Sequence, residues 1–224
     1  QITITLQYHL NCIAEEYLQK YSKEADKDNN PFELVEQGRN REKLISEWVD
    51  LVMKTVEKDN LETQIVDLEN FIFESINSWT PLLQKKQITI QQNYLPKESL
   101  FLEISKTDLH LIFNNFYLNS AWFLEKNKDR PREIQITVTK VDKHCVVKLE
   151  NNGPPLAEEF QAQPYLIFEP GKSSKSHENS TGLGLWICKS VVDENNGDIS
   201  VISYNGDEKF GLEVKLAIVE RDYK

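Results

Sequence analysis

Asn115 and Asn119 stand four residues apart in DLHLIFNNFYLNSAWFLEKN, so on a helix both amides lie on one face. Amide oxygens are hard ligands, and two of them facing a phosphate-binding turn could hold a Mg²⁺ ion together with phosphate oxygens and water. Such a turn follows downstream. The stretch FEPGKSSKSHENSTGLGL, Phe168 to Leu185, joins an aromatic stop, a Ser- and Lys-rich run and a Gly-x-Gly turn that opens the apolar helix LWICKSVV. Gly182 and Gly184 let the backbone come close to an anion, and the helix after them offers unpaired N–H groups and a positive dipole end. The run therefore reads as a mobile flap over a phosphate site. Between the two, Asn151-Asn152-Gly153-Pro154-Pro155 comes directly after a strand pattern and could present a side-chain oxygen to a ligand base. Each motif alone has a plainer reading: two exposed amides, a Pro-Gly turn, and a tight turn before a helix.

The elements that must position these groups can be read from periodicity. TQIVDL is a short strand candidate, and ENFIFESINSWTPLLQKK puts Phe71, Ile72, Ile76, Trp79, Leu82 and Leu83 on a helix that Pro81 is expected to kink or shorten. ITIQQNYL and LFLEIS read as strands by alternation and β-branched content. Ser105 or Thr107 can cap the helix that carries the two amides, whose apolar face is Leu109, Ile112, Phe113, Phe116 and Ala121. REIQITVTK and KHCVVKLE are alternating runs joined at Val-Asp as a hairpin. NNGPPLAEE is a loop, a helix runs from Gly182, and DISVISY and EVKLAIV flank the turn Asn205-Gly206. Helices with mostly antiparallel strands in this order predict an α+β two-layer sandwich over 61–224.

Residues 1–60 read differently. Ile2, Leu6, Leu10, Ile13 and Tyr17 form one helical stripe, although ITITL also alternates like a strand, and Leu44, Ile45, Trp48, Val49, Val52 and Val56 form a second. This is a helical hairpin, which must pack on the rest or pair with a second copy into a four-helix bundle.

Composition narrows the function. The 224 residues carry 26 Lys+Arg against 36 Asp+Glu, a net charge of −10, which argues against a nucleic acid as the main partner but suits a small phosphorylated ligand. Cys12, Cys145 and Cys188 are isolated thiols, so neither a disulfide framework nor a zinc site is indicated, and a reducing, cytoplasmic compartment is expected. No apolar run approaches a membrane span. The chain opens on Gln1, so a fragment with signals or a membrane-bound sensor upstream is the expectation.

In this order and spacing, the motifs resemble the catalytic domain of sensor histidine kinases, within the GHKL superfamily of gyrase-type, chaperone and mismatch-repair ATPases. The matching pieces are NNFYLNSA at 114–121 for the Asn box, LENNGPPL at 149–156 and STGLGLWICKSVV at 180–192 for the two Gly boxes, and LIFEPGKSSK at 166–175 for the Phe box. The resemblance covers roughly 65–220. It implies ATP and Mg²⁺ as ligands, with Asn119 holding the metal and Asn115 beside it at the phosphates. Asn151 falls where the family has an Asp that accepts from the adenine amino group; an Asn oxygen can accept that bond without the charge. Gly153 would leave room for the base, and Phe168 would pack the base of a lid formed by Ser173, Ser174 and Lys175. Thr181, Gly182, Leu183, Gly184 and Leu185 would close over the phosphates. Pro155 replaces the second Gly of the first Gly box, and Trp122 stands where many of these kinases have a basic residue, a contact that Lys126 or Lys175 could supply instead.

Hydrolytic members of the superfamily place a general-base Glu where this chain has Asn115, so the resemblance implies ATP held for transfer to another nucleophile. His9, at the edge of the first helical stripe, is the candidate phosphoacceptor, although Leu10 and Asn11 follow it where the family has Asp or Glu. The implied protein is a homodimer through the hairpin that passes its phosphoryl group to a response-regulator Asp. Two other readings stay open: a degenerate GHKL module that regulates without autophosphorylation, and a GHKL protein that hydrolyses ATP or phosphorylates Ser.

Overall fold

The computed structural model describes residues 62–126, 129–173, 182–202 and 209–220, all within one compact unit. The expected hairpin over 1–60, with His9, lies outside the described residues, as do Ser174, Lys175, Thr181 and the Asn205-Gly206 turn.

The described chain runs β1 (Gln64–Asp67), α1 (Leu68–Lys85), β2 (Ile88–Tyr94), β3 (Phe101–Ile104), α2 (Lys106–Leu124), β4 (Arg132–Val141) and β5 (His144–Asn151). A short α3 (Glu158–Gln161) and a 3-10 turn (Pro164–Phe168) precede α4 (Gly184–Glu194), β6 (Asp198–Ile202) and β7 (Phe210–Ala217). Five strands form a mixed sheet in the order β2-β4-β5-β7-β6, and β1 pairs with β3 in a separate ribbon. The β2–β4 pair is parallel and the other three pairs in the sheet are antiparallel. A parallel pair needs a crossover, and β3 with α2 supplies it, so the helix bearing the two amides is returned to the sheet by topology.

One face of the sheet is apolar and covered. Ile134, Ile136 and Val138 of β4, Cys145, Val147 and Leu149 of β5, and Leu212, Val214 and Leu216 of β7 are buried, whereas their alternates Gln135, Lys148, Glu150, Glu213 and Lys215 remain at least partly accessible. Across the open face Lys148 faces Glu213 directly, at 3.4 Å. Helices α1, α2 and α4 contact the sheet, which makes the helix layer of the expected two-layer arrangement. Their shared core is aromatic. Phe71 of α1 meets Phe113 of α2 edge-on with centroids 5.4 Å apart, and Trp79 lies 5.3 Å from Tyr117.

Ser105, not Thr107, caps α2: its Oγ accepts from the Thr107 backbone N–H at 3.1 Å. The expected apolar residues of α2 are all buried, joined by Tyr117 and Leu124. Four expectations change. Pro81 does not shorten α1, which continues to Lys85; Pro81 and Asn77 are both exposed, so water can satisfy the carbonyl deprived of its donor. The β4–β5 turn falls on Asp142-Lys143, where Asp142 has φ 53, and not on Val-Asp. The loop after Gly153 contains α3, because Phe160 is drawn into the core. Helix α4 starts at Gly184, two residues late, because Gly182 at φ +68 is outside helical geometry.

Candidate functional site

Asn115 and Asn119 project from one side of α2 toward the start of α4. The Asn115 Nδ2 donates to the Leu111 carbonyl at 2.8 Å, which leaves its Oδ1 directed at Gly184. A Cβ on Gly184 would stand 2.7 Å from that oxygen and 3.8 Å from Asn119 Nδ2, so only glycine admits this approach. No side chain caps α4. Its positive end therefore meets the buried Asn115 and the partly accessible Asn119, an arrangement suited to an anion and to a hard cation carried with it.

The helices are held in this pose by contacts away from the motifs. Asn195, at the end of α4, donates to Asp108 at 3.0 Å, and Cys188 Sγ lies 3.8 Å from the Ile112 carbonyl. Burial pushes the Asp108 carboxyl above its ordinary pKa, against the opposing effect of the Asn195 bond. Trp79 Nε1 donates to Asn114 at 2.8 Å and ties α1 to the same helix. His110 packs on Phe71, with centroids 4.9 Å apart.

The flap is closed at its base. Gly182 lies so near Gly171 that a Cβ would be 2.5 Å from the Gly171 carbonyl carbon. Gly171 and Gly182 are thus in contact, eleven residues apart in the chain. Lys172 and Ser173 at its root line a cavity together with Asn119, Gly182, Gly184 and Leu185. The opposite wall is apolar: Phe123, Pro154, Pro155, Leu156, Phe160, Ile167 and Phe210. Leu183 precedes α4 and its carbonyl accepts from Ile187 N at 2.8 Å. Phe168 is buried and its neighbour Ile167 reaches the cavity.

Asn151 ends β5 on the inner face and is buried. Its Oδ1 accepts from Gly153 N at 2.9 Å and its Nδ2 donates to Ser120 Oγ at 3.1 Å. Asn152 points the other way and pins the loop to the start of β4, accepting from Glu133 N and donating to the Pro131 carbonyl, both at 2.9 Å. Gly153 is buried against Phe123. Lys126 stands over the Trp122 ring, 3.6 Å from its centroid.

The cavity has a volume of about 70 Å³. A larger hollow of about 480 Å³ is lined by Asp67, Glu69, Asn70, Phe73, Gln92 and Tyr94. Its two carboxylates would repel a phosphate, and the chemistry favours the smaller cavity. Among the described residues no cluster of His, Cys, Asp and Glu could hold a metal by itself, so a cation at the amides would depend on ligand oxygens, which fits the donor set of Asn119 and Asn115.

Sequence reading missed Phe123, Leu156, Phe160, Ile167, Lys172 and Phe210 of the cavity lining. Phe123 lies four residues after Asn119 and so on the same helix face, and Lys172 adjoins the expected lid residues; both signals were available. Phe160 and Phe210 reach the cavity by tertiary folding alone.

A mixed sheet carries one helix layer, with paired amides beside the start of α4. The family described as histidine kinase-, DNA gyrase B- and HSP90-like ATPase matches residues 104–218, about half of the chain, and this protein belongs to it. The chain is 24% identical over 205 residues to sporulation kinase D of Bacillus subtilis, covering 90% of this chain and 37% of that protein. It is 26% identical over 186 residues to the sensor histidine kinase YvrG of the same organism, covering 79% and 31%. It therefore spans about a third of the length of these relatives. The solved catalytic domain of histidine kinase ThkA aligns with a TM-score of 0.59 at 24% identity, over 70% of this chain and 96% of that one, a likeness of fold.

Proposed function

We infer that this protein is the catalytic core of a sensor histidine kinase, binding Mg-ATP and transferring its γ-phosphoryl group to a histidine. The observation that carries the reading is the approach of Gly184 to Asn115 and Asn119, since it brings two amides and an uncapped helix start to one point. Asn151 would meet the base, Gly153 leave room for it, and Phe123 and Leu156 flank it. Asn119 would hold Mg²⁺ with phosphate oxygens, Asn115 adjoin them, and Lys172, Ser173, Ser174, Lys175 and the Thr181–Leu185 turn enclose the phosphates. Bound Mg²⁺ would neutralise charge on the phosphate oxygens.

What the chain's own residues lack shapes the outcome. Asn115 cannot take a proton from water, so the domain would exclude and position rather than hydrolyse. His9 is the candidate acceptor within this chain, and a homodimer through 1–60 that hands the group to a response-regulator Asp completes the reading. The test is incubation of the whole chain with γ-labelled ATP. Acid-labile, base-stable label that disappears in His9→Gln is expected; retained label in that variant removes His9 from the mechanism. Binding of ADP without any labelling would favour the regulatory module instead, a reading motivated by the neutral Asn151 and by Pro155.

A further inference from the structure

Contacts between α2 and α4 run in opposite senses along the two helices. Gly184, at the start of α4, meets Asn115 and Asn119; Cys188 lies 3.8 Å from the Ile112 carbonyl; and Asn195, just past the last turn, donates to Asp108 Oδ2 at 3.0 Å. The helices are therefore antiparallel, with the amides at one end and the Asp108–Asn195 bond at the other, roughly 16 Å from Gly184 at ~1.5 Å per residue. No side chain caps α4 at its start, and its buried face of Ile187, Cys188, Val191 and Val192 is largely apolar. Burial of apolar surface has no direction and tolerates sliding of one helix on another, whereas a hydrogen bond fixes a position. Asn195 forms a bracket. Its Nδ2 donates both to the Val191 carbonyl of its own last turn, at 2.8 Å, and to the half-buried Asp108 carboxylate on α2. A slip of one residue along α4, about 1.5 Å, would set Leu183 or Leu185 against the Asn115 oxygen. Even a Cβ on Gly184 would stand only 2.7 Å from that oxygen.

We propose that Asp108 and Asn195 are positioning residues for the nucleotide: their bond sets the register of α4 on α2, and with it the approach of Gly184 to Asn115 and Asn119. The inference rests on the site being the nucleotide site proposed above. Neither residue lines the cavity, so any effect on the ligand passes through the helix. A hydrogen bond to a charged group biases an equilibrium between two helix poses by roughly ten- to a hundredfold. A ligand that binds one pose loses affinity by up to that factor once the bias is gone. Were the bond to serve the fold alone, its loss would lower the melting temperature and leave the affinity of the folded chain untouched.

Titration calorimetry of the whole chain with ADP and Mg²⁺, well below the melting temperature of each variant, separates the two roles. Asp108→Leu removes the acceptor at similar bulk and is expected to weaken ADP binding by at least about tenfold. Asp108→Asn keeps an oxygen for Asn195 and is expected to bind within about threefold of the unsubstituted chain. A smaller loss in the Leu variant, or a larger one in the Asn variant, overturns the inference and leaves the proposed function standing. If Asp108→Leu does not fold, Asn195→Asp serves instead, because two carboxylates then face each other. The same loss is expected there, and adding Asp108→Asn should recover it by returning a donor to the pair; a loss that the second substitution does not recover overturns the inference. Failure of the unsubstituted chain to bind ADP overturns both readings.

Discussion

Gly184 shows how one hydrogen in place of a methyl decides a site. A methyl there would strike the Asn115 carboxamide, at 2.7 Å from its oxygen. The carboxamide is held by its bond to the Leu111 carbonyl, so the clash cannot be relieved without losing that bond or moving α4. Gly184→Ala is expected to weaken ADP binding by at least about tenfold while costing only about 1 kcal/mol of stability, because the helix itself gains from alanine. Calorimetry beside a thermal melt separates the two; unchanged affinity would detach Gly184 from the ligand. At this scale the sequence named candidate residues and left their partners open. That Asn151 turns inward and Asn152 outward follows from strand alternation, but the commitment of Asn151 to Gly153 and Ser120 needed a helix 31 residues away.

Helix α4 packs on α2 through a face that includes Cys188, and Cys145 lies on the inner face of β5. Burial, the largest influence on both, pushes the Cys188 thiol up to about 12 and Cys145 up to about 11. The folded state therefore keeps protons that an unfolded chain gives up near pH ~8.5. The unfolded state binds fewer protons above that pH, so this contribution to stability is present below it and is lost as pH rises through ~9 toward 11. In a Cys12→Ser background, iodoacetamide at pH 8 should leave both thiols unlabelled until denaturant is added, and the urea midpoint should fall as pH rises above ~9. Rapid labelling of the native chain would mean that α4 opens readily from α2. Element type was legible wherever periodicity was long: α2 and its apolar face, β4 and β5 fell where alternation and three-four spacing placed them. Boundaries were less so. Pro81, exposed like Asn77 one turn before it, did not end α1, and α4 began late because Gly182 took a left-handed turn.

For the whole molecule, binding of a nucleotide should appear as stability. At a hundred times its dissociation constant, a ligand confined to the folded state adds about 2.7 kcal/mol, or a rise in melting temperature of roughly 5 °C for a domain of this size. On the proposed function, a non-hydrolysable ATP analogue with Mg²⁺ should produce this shift in the whole chain, and EDTA should remove most of it; a shift insensitive to EDTA would argue against the metal at Asn119. Among the described residues no helix is long and apolar enough to cross a membrane.

The sequence by itself determined the chemistry and its order along the chain: amides at 115 and 119, an inward polar residue at 151, and glycines at 182 and 184. Residue type and local spacing are enough for that, since helix faces and strand alternation repeat within a few residues. The tertiary structure decided which of these meet. The parallel return of β4 beside β2 brings α2 onto the sheet, the contacts of Asn195 and Cys188 fix α4 against it, and Phe160 and Phe210 close the apolar wall. Those pairings join residues far apart in the chain, and they form only when burial of the shared core outweighs the entropy of bringing them together.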